Sequence, residues 1–220
     1  MGVRYSTLQH LHACLDLSNK KIKGSDICLL GHFNCRGSAK DYFREHGFRG
    51  YWLLSSYLTK CGGNVIEIDL GCPSSVQKDL GREIKEYRGQ FDVVIDYGTN
   101  EHIDNQEAYW LNLFNFLKVG GVFIGGAPHI DSWGDHGTWG YNQLWFYDFM
   151  RRFSWGKIDF KVQCDCEKLT CADRTSIWLC LEKTPDTNYD CSLFRNPIYK
   201  PEGHKKDKKM YDRYVIPARA

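Results

Sequence analysis

The segment from Gln90 to Pro128, QFDVVIDYGTNEHIDNQEAYWLNLFNFLKVGGVFIGGAP, constrains the fold more than any other part of the chain. Phe91 to Asp96 is a short run of strand-forming residues that closes on a carboxylate, and Val122 to Ile124 lies in a second apolar run after a Gly-Gly pair. Both have the continuous apolar character of strands buried in a parallel sheet. Between them Ala108, Leu111, Phe114, Asn115 and Leu117 fall at helical spacing, and Lys118 to Gly121 reads as a basic last turn with a glycine stop. A strand, helix, strand unit crosses over right-handed. The loop after its first strand, Tyr97 to Asp104, is therefore expected at the carboxyl edge of the sheet, where α/β proteins bind ligands.

With 220 residues the chain has room for one sizeable α/β domain and not for two comfortable ones. A hydrophobic share of 42% and a charged share of 25% are ordinary globular values, which excludes a chain disordered throughout. The net charge of +2 supplies no global field for nucleic acid, although the last twenty residues are locally basic. There is no apolar stretch of about 18 residues and no charged-then-apolar leader, so a soluble, cytoplasmic protein is expected. In that compartment the ten cysteines remain thiols.

Ser6 to Leu17 carries Leu8, Leu11 and Leu15 on one face behind a serine cap and predicts a helix, within 6–18, on the sheet edge. Asp26 to Gly31, DICLLG, is predicted as the first strand. Val65 to Leu70, VIEIDL, is the second and closes on Asp69, and Val76 to Leu80 is a short third ending at Asp79. Ser38 to His46 and Tyr51 to Leu58 read as helical pieces broken at Gly47 and Gly50. After Pro128 histidines, aspartates and many aromatics crowd into one loop and the start of a helix, the predicted substrate wall, with Trp145, Phe149 and Phe153 at core spacing. Lys157 to Cys166 and Ser176 to Lys183 alternate around a turn as an antiparallel hairpin. Symmetric pairing sets Cys180 opposite Lys161, so Cys164, Cys166, Cys171 and Cys180 do not converge on a zinc ion. The chain divides into a domain over 1–184 and a C-terminal extension over 185–220 with a basic tail.

The strand order, the carboxylate closing the second strand, FDVVIDYGTNEH, KVGGVFIGGAP and the closing hairpin resemble class I methyltransferases that use S-adenosylmethionine, over roughly Asp26 to Lys183. HGTWGYNQLWFYDF resembles the segment after the fifth strand in a branch associated with glycan or small-molecule modification. The resemblance implies a Rossmann-like three-layer α/β sandwich, its mostly parallel sheet ending in an antiparallel hairpin. It implies S-adenosylmethionine as cofactor, with Gly31 beside the amino-acid part, Asp69 bridging the ribose hydroxyls, Asp79 and Leu80 facing the adenine, and Asp96 and Gly98 along the methionine and sulfonium. A carboxylate suits these contacts because it accepts two hydroxyl protons at once. The other reading of the three aspartates is as strand-end residues that satisfy loop amides. The sequence departs from the family in the first loop. There Gly31-His32-Phe33-Asn34-Cys35 keeps one glycine of Gly-x-Gly-x-Gly and puts Phe33 and Cys35 at the next two.

The implied activity is methyl transfer to a small molecule or glycan, at a hydroxyl. Positioning supplies much of the rate of such a transfer, and a hydroxyl acceptor adds the need for a base. Glu101 and His102 after the fourth strand, and His129 and His136 after the fifth, are the candidates, histidine because its pKa of about 6.5 lies near working pH. His129, Asp131, His136 and Glu101 are also metal-ligand types, but their spacing is not specific and no metal is expected. Two further readings stay open. One is a catalytically silent methyltransferase-like domain that binds a partner or a sugar, favoured by the glycine-poor first loop. The other is an RNA methyltransferase, in which Lys205, Lys206, Lys208, Lys209 and Arg213 meet phosphates and Tyr199 and Tyr211 stack on bases.

Overall fold

A computed structural model describes residues 2–48, 50, 53–130, 132, 137–164, 175–191 and 194. The chain runs β1 (Gly2–Val3), α1 (Tyr5–Leu17), β2 (Asp26–Leu30), β3 (Asn34–Cys35), α2 (Ala39–Glu45), α3 (Leu54–Lys60), β4 (Asn64–Ile68) and β5 (Phe91–Tyr97). It continues through a 3-10 turn (Asn100–His102), α4 (Gln106–Phe116), β6 (Leu117–Pro128), α5 (Gln143–Arg152), β7 (Gly156–Cys164) and β8 (Thr175–Glu182). The main sheet has the order β4-β2-β5-β6-β8-β7. Its first four strands are parallel, and β8 is antiparallel to both of its neighbours. This is the mostly parallel sheet closed by a hairpin that the sequence predicts.

Successive side chains on a strand point to opposite faces, so each central strand feeds two cores. Ile27, Leu29, Val93, Ile95, Val122 and Ile124 pack with α1, α2 and α3 on one face. Cys28, Leu30, Val94, Phe123, Ile177 and Leu179 pack with α4 and α5 on the other. The result is a three-layer sandwich. Leu8, Leu11 and Leu15 are the buried stripe of α1, as their spacing predicts, but the helix is capped at Arg4, whose amide donates to the Thr7 hydroxyl at 3.2 Å, rather than at Ser6. Among the described residues no helix is long and apolar enough to cross a membrane.

Four expectations are corrected. The buried residues of α4 are Gln106, Ala108, Tyr109, Trp110, Asn112, Leu113 and Phe116, so Ala108 faces inward as its spacing suggests, while Leu111 and Phe114 are only half-buried. The helix is apolar nearly all round, and Phe114 meets Tyr189 and Trp155 on its outer side, at ring separations of 5.8 and 6.3 Å. Lys118 is not in a helical last turn. The helix stops at Phe116, Gly120 at φ 79° turns the chain, and the Lys118 ammonium bridges Asp26 at 2.9 Å and Asp92 at 3.0 Å. Val76 to Leu80 forms no strand, only one parallel bridge from Val76 to Ile68. The segment is fastened by a side chain instead: Asn112 Nδ2 donates to the Leu80 and Arg82 carbonyls at 3.1 and 2.7 Å, and its Oδ1 accepts from Ile84 N–H at 2.8 Å. In the hairpin Cys180 lies opposite Asp159, with an irregularity between Lys157 and Asp159, so the pairing is two residues away from the symmetric one.

The first part of the C-terminal extension belongs to the same core. Tyr189 and Phe194 stack at 6.2 Å, and the Tyr189 hydroxyl donates to the Glu107 carbonyl at 2.6 Å. Cys166, Cys171, Tyr199, Lys205, Lys206, Lys208, Lys209, Tyr211 and Arg213 lie outside the described residues.

Candidate active site

The strand order reverses between β2 and β5. The chain leaves β2 toward β4 and leaves β5 toward β6, so the switch point at which α/β folds bind ligands falls at the carboxyl edge between these two strands. Both loops start on a left-handed glycine, Gly31 at φ 121° and Gly98 at φ 108°. The two loops also touch there: a Cβ on Gly31 would stand 2.1 Å from Thr99 Oγ1. The first glycine is thus required by the approach of Thr99 as well as by its own backbone angle.

Asp69 follows β4 directly and is half-buried. Its Oδ2 accepts the His32 amide at 2.8 Å and its Oδ1 accepts the Gly71 amide at 2.7 Å. These two bonds fix the plane of the carboxylate. A carboxylate has about four acceptor positions, so each oxygen retains one for a ligand hydroxyl. Asp79 is tied locally, accepting from the Gly81 amide at 2.8 Å and pairing with Arg82 at 3.2 Å, while Leu80 is buried in the core.

The alternation of β5 decides what happens at its end. Asp96 points toward α4 and Tyr97 toward α1, so each binds a different helix. Asp96 Oδ1 accepts the Gly98 and Thr99 amides at 3.0 and 2.8 Å. Its Oδ2 accepts the Asn100 amide and side chain, both at 2.9 Å, and the Tyr109 hydroxyl at 2.5 Å. Burial and then the neighbouring Glu101 carboxylate raise its pKa to about 6, against the opposing effect of the Tyr109, Asn100 and Thr99 donors. On the other face the Tyr97 hydroxyl meets His10 Nδ1 at 2.9 Å, and His10 Nε2 meets Cys14 Sγ at 3.2 Å. Burial, with a smaller contribution from Lys161, drives the His10 pKa down to about 3, which keeps the ring neutral.

Glu101 is not at an open edge. Its side chain is wholly buried, and its carbonyl accepts the Thr138 and Trp139 amides at 2.7 and 3.0 Å. Gly137 crosses so close that a Cβ there would lie 2.6 Å from Glu101 Cγ. His102 is the open titratable group of this turn, 45% exposed, with Nε2 3.9 Å from Glu101 Oε1. His129 follows β6, half-buried, its amide donating to the Thr175 carbonyl at 3.0 Å. His136 and Asp131 lie outside the described residues. The predicted substrate wall is largely core from Tyr141 onward, where Tyr141, Trp145, Phe146 and Phe149 are buried against α4.

Three groups of polar residues went unread in the sequence. Gln106 donates to the Asn100 and Ile103 carbonyls at 2.6 and 2.8 Å, and accepts from Trp110 Nε1 at 3.0 Å and the Tyr141 hydroxyl at 2.6 Å. Tyr109 and Asn100 hold Asp96. His32 Nδ1 lies 2.6 Å from Glu67 Oε1, a contact that raises the His32 pKa. The last had a signal: Glu67 stands two residues before Asp69 and so on the same side of the strand.

No protein-family model matches the sequence, and no curated protein matches it. Solved structures do match. One is the 1,6-didemethyltoxoflavin-N1-methyltransferase of Burkholderia thailandensis with bound 1,6-didemethyltoxoflavin and S-adenosylhomocysteine, at TM-score 0.51 and 16% identity over 82% of this chain and 77% of that one. Another is the N-methyltransferase NodS of Bradyrhizobium japonicum WM9 in complex with S-adenosyl-L-homocysteine, at TM-score 0.51 and 13% identity over 81% and 85% of the two chains. The chain has the fold of the class I S-adenosylmethionine-dependent methyltransferases.

Proposed function

We propose that the chain is an S-adenosylmethionine-dependent methyltransferase acting on a small molecule or glycan, at a hydroxyl. The observation that carries this reading is Asp69. It stands at the end of the strand beside the switch point, its carboxylate is oriented by the His32 and Gly71 amides, and it retains acceptor capacity for the two hydroxyls of a ribose. In this reading Gly31 and Gly98 stand on the amino-acid side and Asp79 on the adenine side, with Leu80 behind it in the core. The donors already gathered on Asp96 make it a positioning residue, which holds the Gly98 to Asn100 backbone where the methionine part lies. When bound, S-adenosylmethionine supplies an activated methyl group. His102, His129 and His136 are the candidate bases that receive the acceptor proton. Glu101, buried 3.9 Å from His102, would act only through that histidine.

A second reading, a silent methyltransferase-like binding domain, is favoured by one observation. Phe33 and Cys35, at the positions of the missing glycines, are 1% and 2% exposed and built into the core.

Calorimetric titration with S-adenosylmethionine and S-adenosylhomocysteine separates the two. Micromolar binding is expected, weakened at least about tenfold in Asp69→Asn, a loss near 1.4 kcal/mol. Absence of both heat and thermal shift in the unaltered chain would exclude the enzyme reading and leave the binding domain.

A further inference from the structure

We propose that His32, Glu67 and Cys72 form a binding site for a divalent transition metal, zinc foremost. Parallel pairing of β2 and β4 sets Leu29 opposite Glu67, and the turn at Gly31 brings His32 back over that carboxylate. Cys72 enters from the loop that follows β4. One ligand atom from each of the three residues, imidazole nitrogen, carboxylate oxygen and sulfur, lies within 4.8 Å of the other two. A thiolate and an imidazole select zinc and its neighbours over magnesium and calcium, which favour oxygen. Three protein ligands also leave the fourth tetrahedral position open, as in zinc sites that bind a water or an exogenous ligand.

An independent observation points the same way. The Glu67 side chain is nine-tenths buried; its Oε1 takes both His32 Nδ1 and the Ser75 hydroxyl, while Oε2 has no hydrogen-bond partner. A buried carboxylate oxygen without a donor is costly, and a cation beside it removes that cost. Ser75 on Glu67, and Ser74 Oγ at 3.1 Å from Cys72 Sγ, are the outer partners that orient ligands around a metal. Metal binding would replace the proton now shared between His32 and Glu67. The site abuts Asp69 through the His32 amide but needs nothing of the methyltransferase reading.

The test is titration of the metal-stripped full chain with Co2+, which adopts zinc geometry and reports thiolate ligation by near-ultraviolet charge-transfer absorption and visible bands. One equivalent is expected to bind and to be displaced by Zn2+. Cys72→Ser is expected to abolish the charge-transfer band, and Glu67→Gln to weaken binding by about 10- to 100-fold. The control Cys164→Ser should behave as the unaltered chain. A band that persists in Cys72→Ser, or no band in the unaltered chain, would overturn the site whatever the outcome with S-adenosylmethionine.

Discussion

Trp110→Ala is expected to remove about 4 kcal/mol of folding stability, the upper range for truncating a large aromatic in a core. Trp110 is 1% exposed and is the hub of the α4 face. Its ring centroid lies 4.8 Å from Phe149, 5.1 Å from Tyr109, 5.7 Å from Trp145 and 5.9 Å from both Phe123 and Phe146. These rings come from β6, α4 and α5, so the cavity left by alanine would be walled by three elements that cannot all relax into it. The indole N–H also donates to Gln106 Oε1, and Gln106 in turn holds the turn that carries Glu101 and His102. Trp110→Phe should recover roughly half of the loss, since it refills part of the volume and still leaves that acceptor one donor short. Urea denaturation at constant slope measures both. A loss under about 1 kcal/mol for the alanine variant would mean that α4 is not seated as described.

Asp96→Asn is expected to cost about 3 kcal/mol at neutral pH, the scale for breaking a buried charged hydrogen-bond set. Asparagine is the right size and cannot be right in either orientation. An amide at the Oδ1 position faces the Gly98 and Thr99 amides, and at the Oδ2 position faces the Asn100 amide and side chain. The pH dependence separates lost charge from lost shape. The folded pKa of Asp96 is raised from 3.8 to about 6, so the folded chain binds a proton that the unfolded chain has released across that window. The Asp96 contribution in the unaltered chain therefore falls as pH rises from about 4 to 6, and the variant lacks this slope. The stability gap between the two should be widest near pH 4 and narrow toward pH 6. A gap independent of pH would contradict the raised pKa.

Both expectations depend on features that differ in how far the sequence discloses them. The apolar runs of β2, β5 and β6 and the two arms of the hairpin are local patterns, and strands formed on them, although β6 starts earlier, at Leu117, and the hairpin pairs in a different register. The buried face of α4 was not readable, because Leu111 and Phe114 are as apolar as Tyr109 and Leu113, and packing from both sides chose between them. The third strand failed for another reason. Asn112, about thirty residues downstream, supplies the hydrogen bonds that a ladder would have made. The positions of Gly31 and Asp69 just after β2 and β4 were legible, because they follow from where the apolar runs end. The saturation of Asp96 depends on Tyr109, and the burial of Glu101 depends on the Gly137 to Trp139 segment crossing above it. Neither is a property of the motif that contains the residue. The His32 and Glu67 pair arises only from the parallel register of β2 with β4.

The most direct test of cofactor binding at the switch point is hydrogen–deuterium exchange with and without S-adenosylhomocysteine. Slowed exchange is expected at the amides of 31–33, 69–71 and 98–100, from three loops distant in sequence and adjacent at the carboxyl edge. Unchanged exchange in all three loops at saturating ligand, or protection confined to another part of the chain, would contradict it.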